Sequence, residues 1–321
     1  MIAIRVEAFG GPEVLRPERL ELPRPRRGQV LIRVRATGVN PYDTYMRAGQ
    51  YGAGNPALPY TPGSDAAGTV EALGTGAEGL TIGDRVYTSG TLSGAYAEYA
   101  LCTPAQLHLL PDSVSYSQGA ALNVPYATAY RALFQLAHAK TGETLLIHGA
   151  SRGVGVAATQ WARQAGMSVL GTAGSEAGLR FIREQGVEHA FDHNSPSYRE
   201  EVLETTNGHG VDVVLEMLAN VNLGHDLKLL RQRGRVVVIG SRGDAQVTPR
   251  DLMSREASIV GVMLWTMPPS DAAEIYAAIG AGLRSATLRP VIGAELPLRE
   301  APEAHRRVIE SRHAGKIVLV P

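Results

Sequence analysis

Cysteine is nearly absent. Cys102 is the one thiol in 321 residues. No disulfide framework can form within the chain, and no zinc site built on two or more cysteines. Net charge is missing as well: Lys and Arg total 31 against 31 for Asp and Glu, with a pI near 7.1. This balance argues against an obligate nucleic-acid binder, which carries a basic excess. Long apolar runs are also lacking. The most apolar late stretch, Ser258 to Met267, is half the length a bilayer-spanning helix needs. The opening MIAIRVEAFGG has no apolar core followed by a small-residue cleavage site. These absences lead us to expect a soluble protein of the cytoplasm that meets no membrane.

Glycine and proline, by contrast, are plentiful at 36 and 19. No repeat or low-complexity run holds them, so they mark many turns and tight backbone passages. The apolar fraction of 44% supplies large buried cores, and the length fits two domains. The first third alternates or runs apolar over strand-like lengths, at Met1–Val6, Gln29–Ala36 and Ala67–Ala72. Gly10-Gly11-Pro12, Pro23-Arg24-Pro25 and Asn55-Pro56 punctuate it as turns. Many short strands with little helix suggest a small barrel or sandwich.

The character changes near Ser117. Ser117 to Leu136 is alanine-rich and has a helical period. Short apolar strands then alternate with amphipathic helices from Leu145 to Ile239, which implies right-handed crossovers and a parallel sheet. The end, Pro290 to Pro321, returns to strands around one helix at Ala301–Ser311. We therefore expect an α/β chain. Residues 1–124 form a β-rich domain to which 266–321 return, and 125–265 form an inserted doubly wound domain.

The strongest local signal is Leu145-Leu146-Ile147-His148-Gly149-Ala150-Ser151-Arg152-Gly153-Val154-Gly155. A hydrophobic strand runs into a glycine-rich turn that opens a helix. A pyrophosphate needs backbone N–H groups and the positive end of a helix dipole, with no side chain in the way. Ser151, Gly153, Val154 and Gly155 are the candidates, although an ordinary strand-to-helix turn reads the same way. The second strand ends at Ala173, where an NAD-selective site places Asp or Glu. That small, neutral end, with Gly174 and Ser175 after it, leaves room for a 2′-phosphate. Arg180 and His193 are its candidate cationic partners, and each reads equally as a surface residue.

Long ungapped stretches resemble a known family. They include Glu7-Ala8-Phe9-Gly10-Gly11-Pro12-Glu13-Val14-Leu15, Gly38-Val39-Asn40-Pro41 and Leu58-Pro59-Tyr60-Thr61-Pro62-Gly63-Ser64-Asp65. Further on come Tyr126-Ala127-Thr128-Ala129-Tyr130-Arg131-Ala132-Leu133, His148-Gly149-Ala150-Ser151, Glu216-Met217-Leu218-Ala219-Asn220 and Gly240-Ser241-Arg242-Gly243. The chain resembles the zinc-free quinone oxidoreductases of the medium-chain dehydrogenase/reductase superfamily, the zeta-crystallin group. The resemblance implies a GroES-like catalytic domain, a Rossmann domain, NADPH as cofactor and a homodimer. Zinc-dependent relatives place a cysteine after Gly-Val and a Gly-His-Glu further on. Here those stretches read Gly38-Val39-Asn40 and Gly63-Ser64-Asp65, so the thiolate and imidazole are missing. Without a metal to polarise a carbonyl, the acceptor must already be electrophilic, as a quinone or enone is. Arg152 departs from the group's Gly or Ser, and we expect it to point outward.

The resemblance also puts the segment Asn40 to Tyr51 beside the nicotinamide. Asn40 and the hydroxyl of Tyr45 or Tyr51 are then donors for the charge that develops on the acceptor oxygen. Asp43 and Tyr60 are weaker candidates. Tyr126 and Thr128 resemble positions that flank the nicotinamide, and Gly240, Ser241 and Leu264 would wall its other face. Asn220, Arg312 and Lys316 resemble further positions near the cofactor, and Arg312 and Lys316 read equally as solvated residues. The expected activity is NADPH-dependent quinone reduction. Its alternatives are alkenal or enone double-bond reduction and a non-catalytic NADPH- or RNA-binding role, which the neutral pI disfavours.

Overall fold

The structure is a computed structural model and describes residues 1–51, 54–310 and 314–321. The chain divides into two compact units. The first is Met1–Val124 with Gly280–Arg284 and Arg289–Pro321, and the second is Pro125–Ile279 with Ser285–Leu288.

The first unit is built on Val30–Gly38. Its alternation turns Arg33 and Arg35 to solvent and Val30, Ile32 and Val34 to the core. It pairs antiparallel with Asp65–Leu73 and with Tyr99–Cys102. Arg85–Thr88 and Leu107–Leu109 extend the sheet on one side, and Lys316–Val320 followed by Ile292–Pro297 on the other. The register sets Gly38 between Asp65 and Val318. A Cβ on Gly38 would strike the Ala120 carbonyl and come within 2.9 Å of Lys316 Cε. Only glycine lets the Lys316 stem cross there. The helix Ala301–Glu310 buries Ala301, Ala304, His305 and Val308 against a core that holds Ile4, Val6, Leu15 and Tyr96.

The second unit is a six-stranded parallel sheet. Its spatial order is His189–Asp192, Ser168–Ala173, Thr144–Ile147, Val211–Glu216, Leu230–Val238, Ser258–Gly261. Central strands such as Val211–Glu216 are buried along their whole length, as strands covered on both faces must be. The order reverses between Thr144–Ile147 and Val211–Glu216. Ligands bind at such a switch, outside the carboxyl ends of the strands. Among the described residues no helix is long and apolar enough to cross a membrane.

Two expectations need correction. Ser117 to Leu136 is not one helix. A single turn, Tyr116–Gly119, capped by Ser115, is followed by wide turns on either side of Thr128–Tyr130. Ala137 N–H reaches back five residues to Ala132 O at 3.0 Å. Pro125 lacks the N–H that a regular turn would use there. In addition, the chain stays in the second unit beyond residue 266. The helix Pro269–Arg284 explains this. Its Asp271 and Glu274 accept from Arg131 (2.9 Å) and Tyr130 (2.8 Å), and Gln135 donates to Glu274 at 3.2 Å.

Candidate functional site

Asn40 caps the helix Pro41–Arg47 two residues after the strand Val30–Gly38, and it is 2% exposed. Its Nδ2 donates to Asp65 Oδ2 at 3.0 Å, and its Oδ1 accepts from Lys316 Nζ. Asp65 also accepts from Asn123 Nδ2 (3.0 Å) and from the Val124 N–H (3.2 Å) and pairs with Lys316 at 3.4 Å. Burial lowers the Lys316 ammonium's pKa, and Asp65 and then Asp43 work against that shift. Lys316 is therefore neither solvated nor free to reach far, because its charge is spent on Asn40 and Asp65.

A second hydrogen-bond chain adjoins this cluster. Arg47 Nη1 lies 3.3 Å from His305 Nδ1. A guanidinium only donates, so Nδ1 accepts and Nε2 carries the proton. Nε2–H then donates to the Tyr96 hydroxyl (3.1 Å), which donates to Asp43 Oδ2 (3.2 Å). The Asn40 N–H donates to the same oxygen at 2.8 Å. Burial keeps His305 neutral, with its pKa lowered to about 3. Burial also pushes the Asp43 carboxyl up to about 7, with Asp65 adding to the rise. The folded state thus holds this proton over an interval where the unfolded chain has lost it, and the contribution drains away as pH rises from about 4 to about 7. Asp43→Asn should therefore be more stable than the parent at pH ~8, by about 1–3 kcal/mol, with the gap closing toward pH ~4. Urea unfolding at both pH values checks this, and a variant weaker than the parent at the higher pH would refute it.

The tyrosines line the next stretch. Tyr51 meets Tyr42 edge to face, with ring centres 5.0 Å apart, and its backbone N–H donates to Asn55 Oδ1 at 2.9 Å. Burial raises the Tyr51 pKa, and Tyr45 adds to the rise. Burial pushes Tyr42 up to about 12. Tyr45 and Tyr51 are both half-buried, and the raised pKa of Tyr51 keeps its hydroxyl protonated and able to donate. The Tyr60 hydroxyl is buried, and burial and then Asp43 raise its pKa.

In the second unit the helix Gly153–Gln164 starts directly after the glycine-rich turn, and no side chain caps it. Its first-turn N–H groups, on Gly153, Val154 and Gly155, have no partner within the helix. A Cβ on Gly155 would lie 2.5 Å from Ala150 Cα, so glycine is needed for the helix to pack this tightly on the turn. Space beside Gly149 is open to 4 Å. Ser151 is half-buried in the turn. Arg152 does not point outward as expected. It is half-buried, and burial and then Arg242 lower its pKa.

At the end of the second strand, a Cβ on Gly174 would stand 2.5 Å from His193 Nε2, so His193 does face this position. Asn194 joins it by donating to Gly174 O at 3.0 Å. Ser175 caps the next helix and accepts from Gly178 N–H at 3.1 Å. Arg180 turns to Glu176 one turn earlier on the same exposed face, 3.3 Å away. Tyr126 is buried and its hydroxyl donates to Gln160 at 2.9 Å; Thr128 is buried as well. Asn220 Oδ1 accepts from the Arg242 N–H at 2.9 Å, which fixes the loop that carries Gly240 and Ser241. Leu264 is half-exposed. Arg312 lies outside the described residues.

Residues 26–112 match the family described as "Alcohol dehydrogenase GroES-like domain", and residues 153–279 match "Zinc-binding dehydrogenase". The Homo sapiens quinone oxidoreductase is 47% identical over 322 residues, covering all of this chain and 98% of its own length. The chain belongs to the quinone oxidoreductase family. This is the zinc-free, zeta-crystallin-like group of the medium-chain dehydrogenase/reductase superfamily. Among solved structures, the Escherichia coli quinone oxidoreductase complexed with NADPH superposes with a TM-score of 0.91 at 26% identity, covering all of both chains. The CurK enoyl reductase superposes with a TM-score of 0.90 at 26% identity, covering 99% of this chain and 98% of its own.

Zinc, which one family description names, does not fit this member. A catalytic zinc asks for thiolate and imidazole ligands. The residues here are an amide, Asn40, and a carboxylate, Asp65, and both already bind the Lys316 ammonium. Asp65 and Asn123 were missed in the sequence. Only the Gly63-Ser64-Asp65 match hinted at the first, and nothing local marks the second.

Proposed function

We propose that the chain is an NADPH-dependent quinone reductase that transfers reducing equivalents directly from the nicotinamide to the acceptor, without zinc or flavin. The observation that carries this reading is the 47% identity to a quinone oxidoreductase over the whole chain. The uncapped, glycine-lined helix start at Gly153–Gly155 supports it as a seat for a pyrophosphate. NADPH, when bound, supplies the reducing equivalent at its dihydronicotinamide. The protein's own residues orient the acceptor and donate to its oxygen. Tyr51 offers a protonated hydroxyl, and Tyr45 is a second phenol of the same segment. Asn40, with its carbonyl on Lys316 and one N–H on Asp65, has a second N–H to give. Asp65 and Lys316 hold that amide in one orientation.

Consumption of NADPH by the purified protein with ortho- and para-quinones, and with unsaturated aldehydes and ketones, tests the reading. Turnover of quinones well above enones is expected. The likeness to the CurK enoyl reductase favours a second reading, double-bond reduction, which the opposite order would support. Tyr51→Phe should lower quinone turnover about tenfold or more while leaving the NADPH dissociation constant unchanged. Full turnover in both Tyr45→Phe and Tyr51→Phe would remove the hydroxyls from the mechanism. The same reading makes the protein a cytoplasmic homodimer. Its support is the open sheet edge at Ser258–Gly261, followed in sequence by exposed Met263 and Trp265.

A further inference from the structure

His148, Glu216 and Asp226 form a buried cluster in the second unit that the proposed reaction does not use. His148 directly follows the strand Thr144–Ile147 and precedes Gly149 of the glycine-rich turn. Glu216 ends the neighbouring strand Val211–Glu216, and the His148 N–H donates to Leu215 O at 3.1 Å. Both residues thus stand at the carboxyl ends of the two strands that flank the switch in strand order, beneath the seat of a dinucleotide. Asp226 enters from the helix Ala219–Leu229. His148 Nε2 lies 2.8 Å from Asp226 Oδ1 and 3.5 Å from Glu216 Oε2. Glu216 Oε1 accepts from the Leu218 N–H and from Asn222 Nδ2 (3.3 Å), and so holds the second turn. Glu216 Oε2 and Asp226 Oδ2 are buried, with no hydrogen-bond partner among the described residues.

His148, Glu216 and Asp226 each bring one ring nitrogen or carboxylate oxygen within 4.8 Å of the others, and two carboxylates this close and away from water cannot both stay ionised. One proton between Glu216 and Asp226 satisfies both orphaned oxygens at once. We propose that Glu216 and Asp226 share a single proton, that with His148 they brace the two turns under the cofactor, and that losing this proton weakens NADPH binding. The proposal rests on the NADPH reading above. The three act as positioning residues and touch no reacting atom. Singly protonated, the pair carries one negative charge; fully ionised, it carries two beneath an anionic cofactor. Other groups that face the cluster are Tyr198 and Arg199 on the helix Tyr198–Thr205, and His193 beyond the third strand. Arg199 favours the ionised form of Asp226, while burial opposes ionisation of both carboxyls.

The test is the NADPH dissociation constant of the full chain from about pH 6 to about pH 9, for the parent, Glu216→Gln and Asp226→Asn. Each amide keeps the shape, supplies a hydrogen to its partner and holds the cluster at one charge. The cofactor's 2′-phosphate and His193 titrate in all three proteins and cancel in the ratio. Parent affinity should fall by about tenfold relative to either variant across this range. With Asp43→Asn as the common background, which removes the other buried protonated carboxyl, a protonated-carboxyl infrared band should be present and should be lost on adding Glu216→Gln, and this readout does not need NADPH. Parallel pH courses with no such band would overturn the proposal. Failure of the parent to bind NADPH at any pH would overturn the cofactor reading and this inference with it, whereas tight binding with parallel courses overturns the inference alone. A stoichiometric metal ion that is lost on His148→Gln would replace the shared proton with a cation and also overturn it.

Discussion

Lys316→Met should lower the unfolding free energy by about 3–5 kcal/mol, because it removes the cation from a buried pair and leaves the anion behind. Asp65 is 1% exposed and Lys316 is 5% exposed. Methionine keeps most of the stem that crosses Gly38 and removes the ammonium, so the loss reports charge more than packing. Asn40 loses the donor on its carbonyl in the same step, and quinone turnover should fall with stability. The double variant Asp65→Asn, Lys316→Met, which leaves no buried charge at the pair, should regain part of the stability. Arg233→Met breaks a pair of similar length, 3.0 Å to Glu256, but both side chains are mostly in water, and it should cost almost nothing measurable. Urea unfolding followed by circular dichroism compares the four proteins. A Lys316→Met variant as stable as Arg233→Met would show that the buried pair holds nothing together.

NADPH should bind about tenfold to a hundredfold more tightly than NADH, and Ala173→Asp should erase most of that margin. One or two charge-assisted hydrogen bonds to a 2′-phosphate are each worth roughly 1.5–3 kcal/mol, and ~1.4 kcal/mol is tenfold. His193 and Asn194, which both meet Gly174, and the start of the helix after Ser175 are positioned to make such bonds. Arg180 adds little, because it is exposed and turned to Glu176. Arg180→Ala should therefore leave the ratio nearly unchanged. An Asp at residue 173 places a carboxylate at the strand end, where it repels the phosphate and accepts from a free 2′-hydroxyl. The ratio of the two dissociation constants at moderate salt is the measurement, with circular dichroism to verify folding. A native ratio near one, or a ratio untouched by Ala173→Asp, would refute the assignment of this pocket.

The Rossmann unit was legible because its signals are local. The run Leu145-Leu146-Ile147 followed by the glycine turn announces strand, bend and helix start within a dozen residues, and its alternation with helices fixes a parallel sheet. The break in the Ala-rich segment was also written locally, in Pro125, but the surrounding helical period outweighed it. The helix Pro269–Arg284 was missed although Pro269 and Asp271 suit its first turn and Arg284 its last. What no window could show is the Asn40–Asp65–Lys316 cluster. Its members are 25 and 276 residues from Asn40, and only the register of three strands around Gly38 brings them together. Arg180 reads from the sequence equally as a phosphate partner or a surface residue, and the structure turns it to Glu176 on an exposed face, a partner the linear sequence did not rank.

The register around Gly38 also sets an order of assembly during synthesis. Val30–Gly38 leaves the ribosome early, yet one of its neighbours, Lys316–Val320, is made only after the whole dinucleotide-binding unit. Until then, part of that strand's hydrogen-bonding edge and the Asp65 carboxylate lack their final partners. Pairings this distant in sequence form slowly and leave apolar strands open to other chains. The second unit can close once residue 288 has been made, while the first waits. Nascent chains stalled within the last strand should therefore bind holding chaperones through their oldest residues rather than their newest.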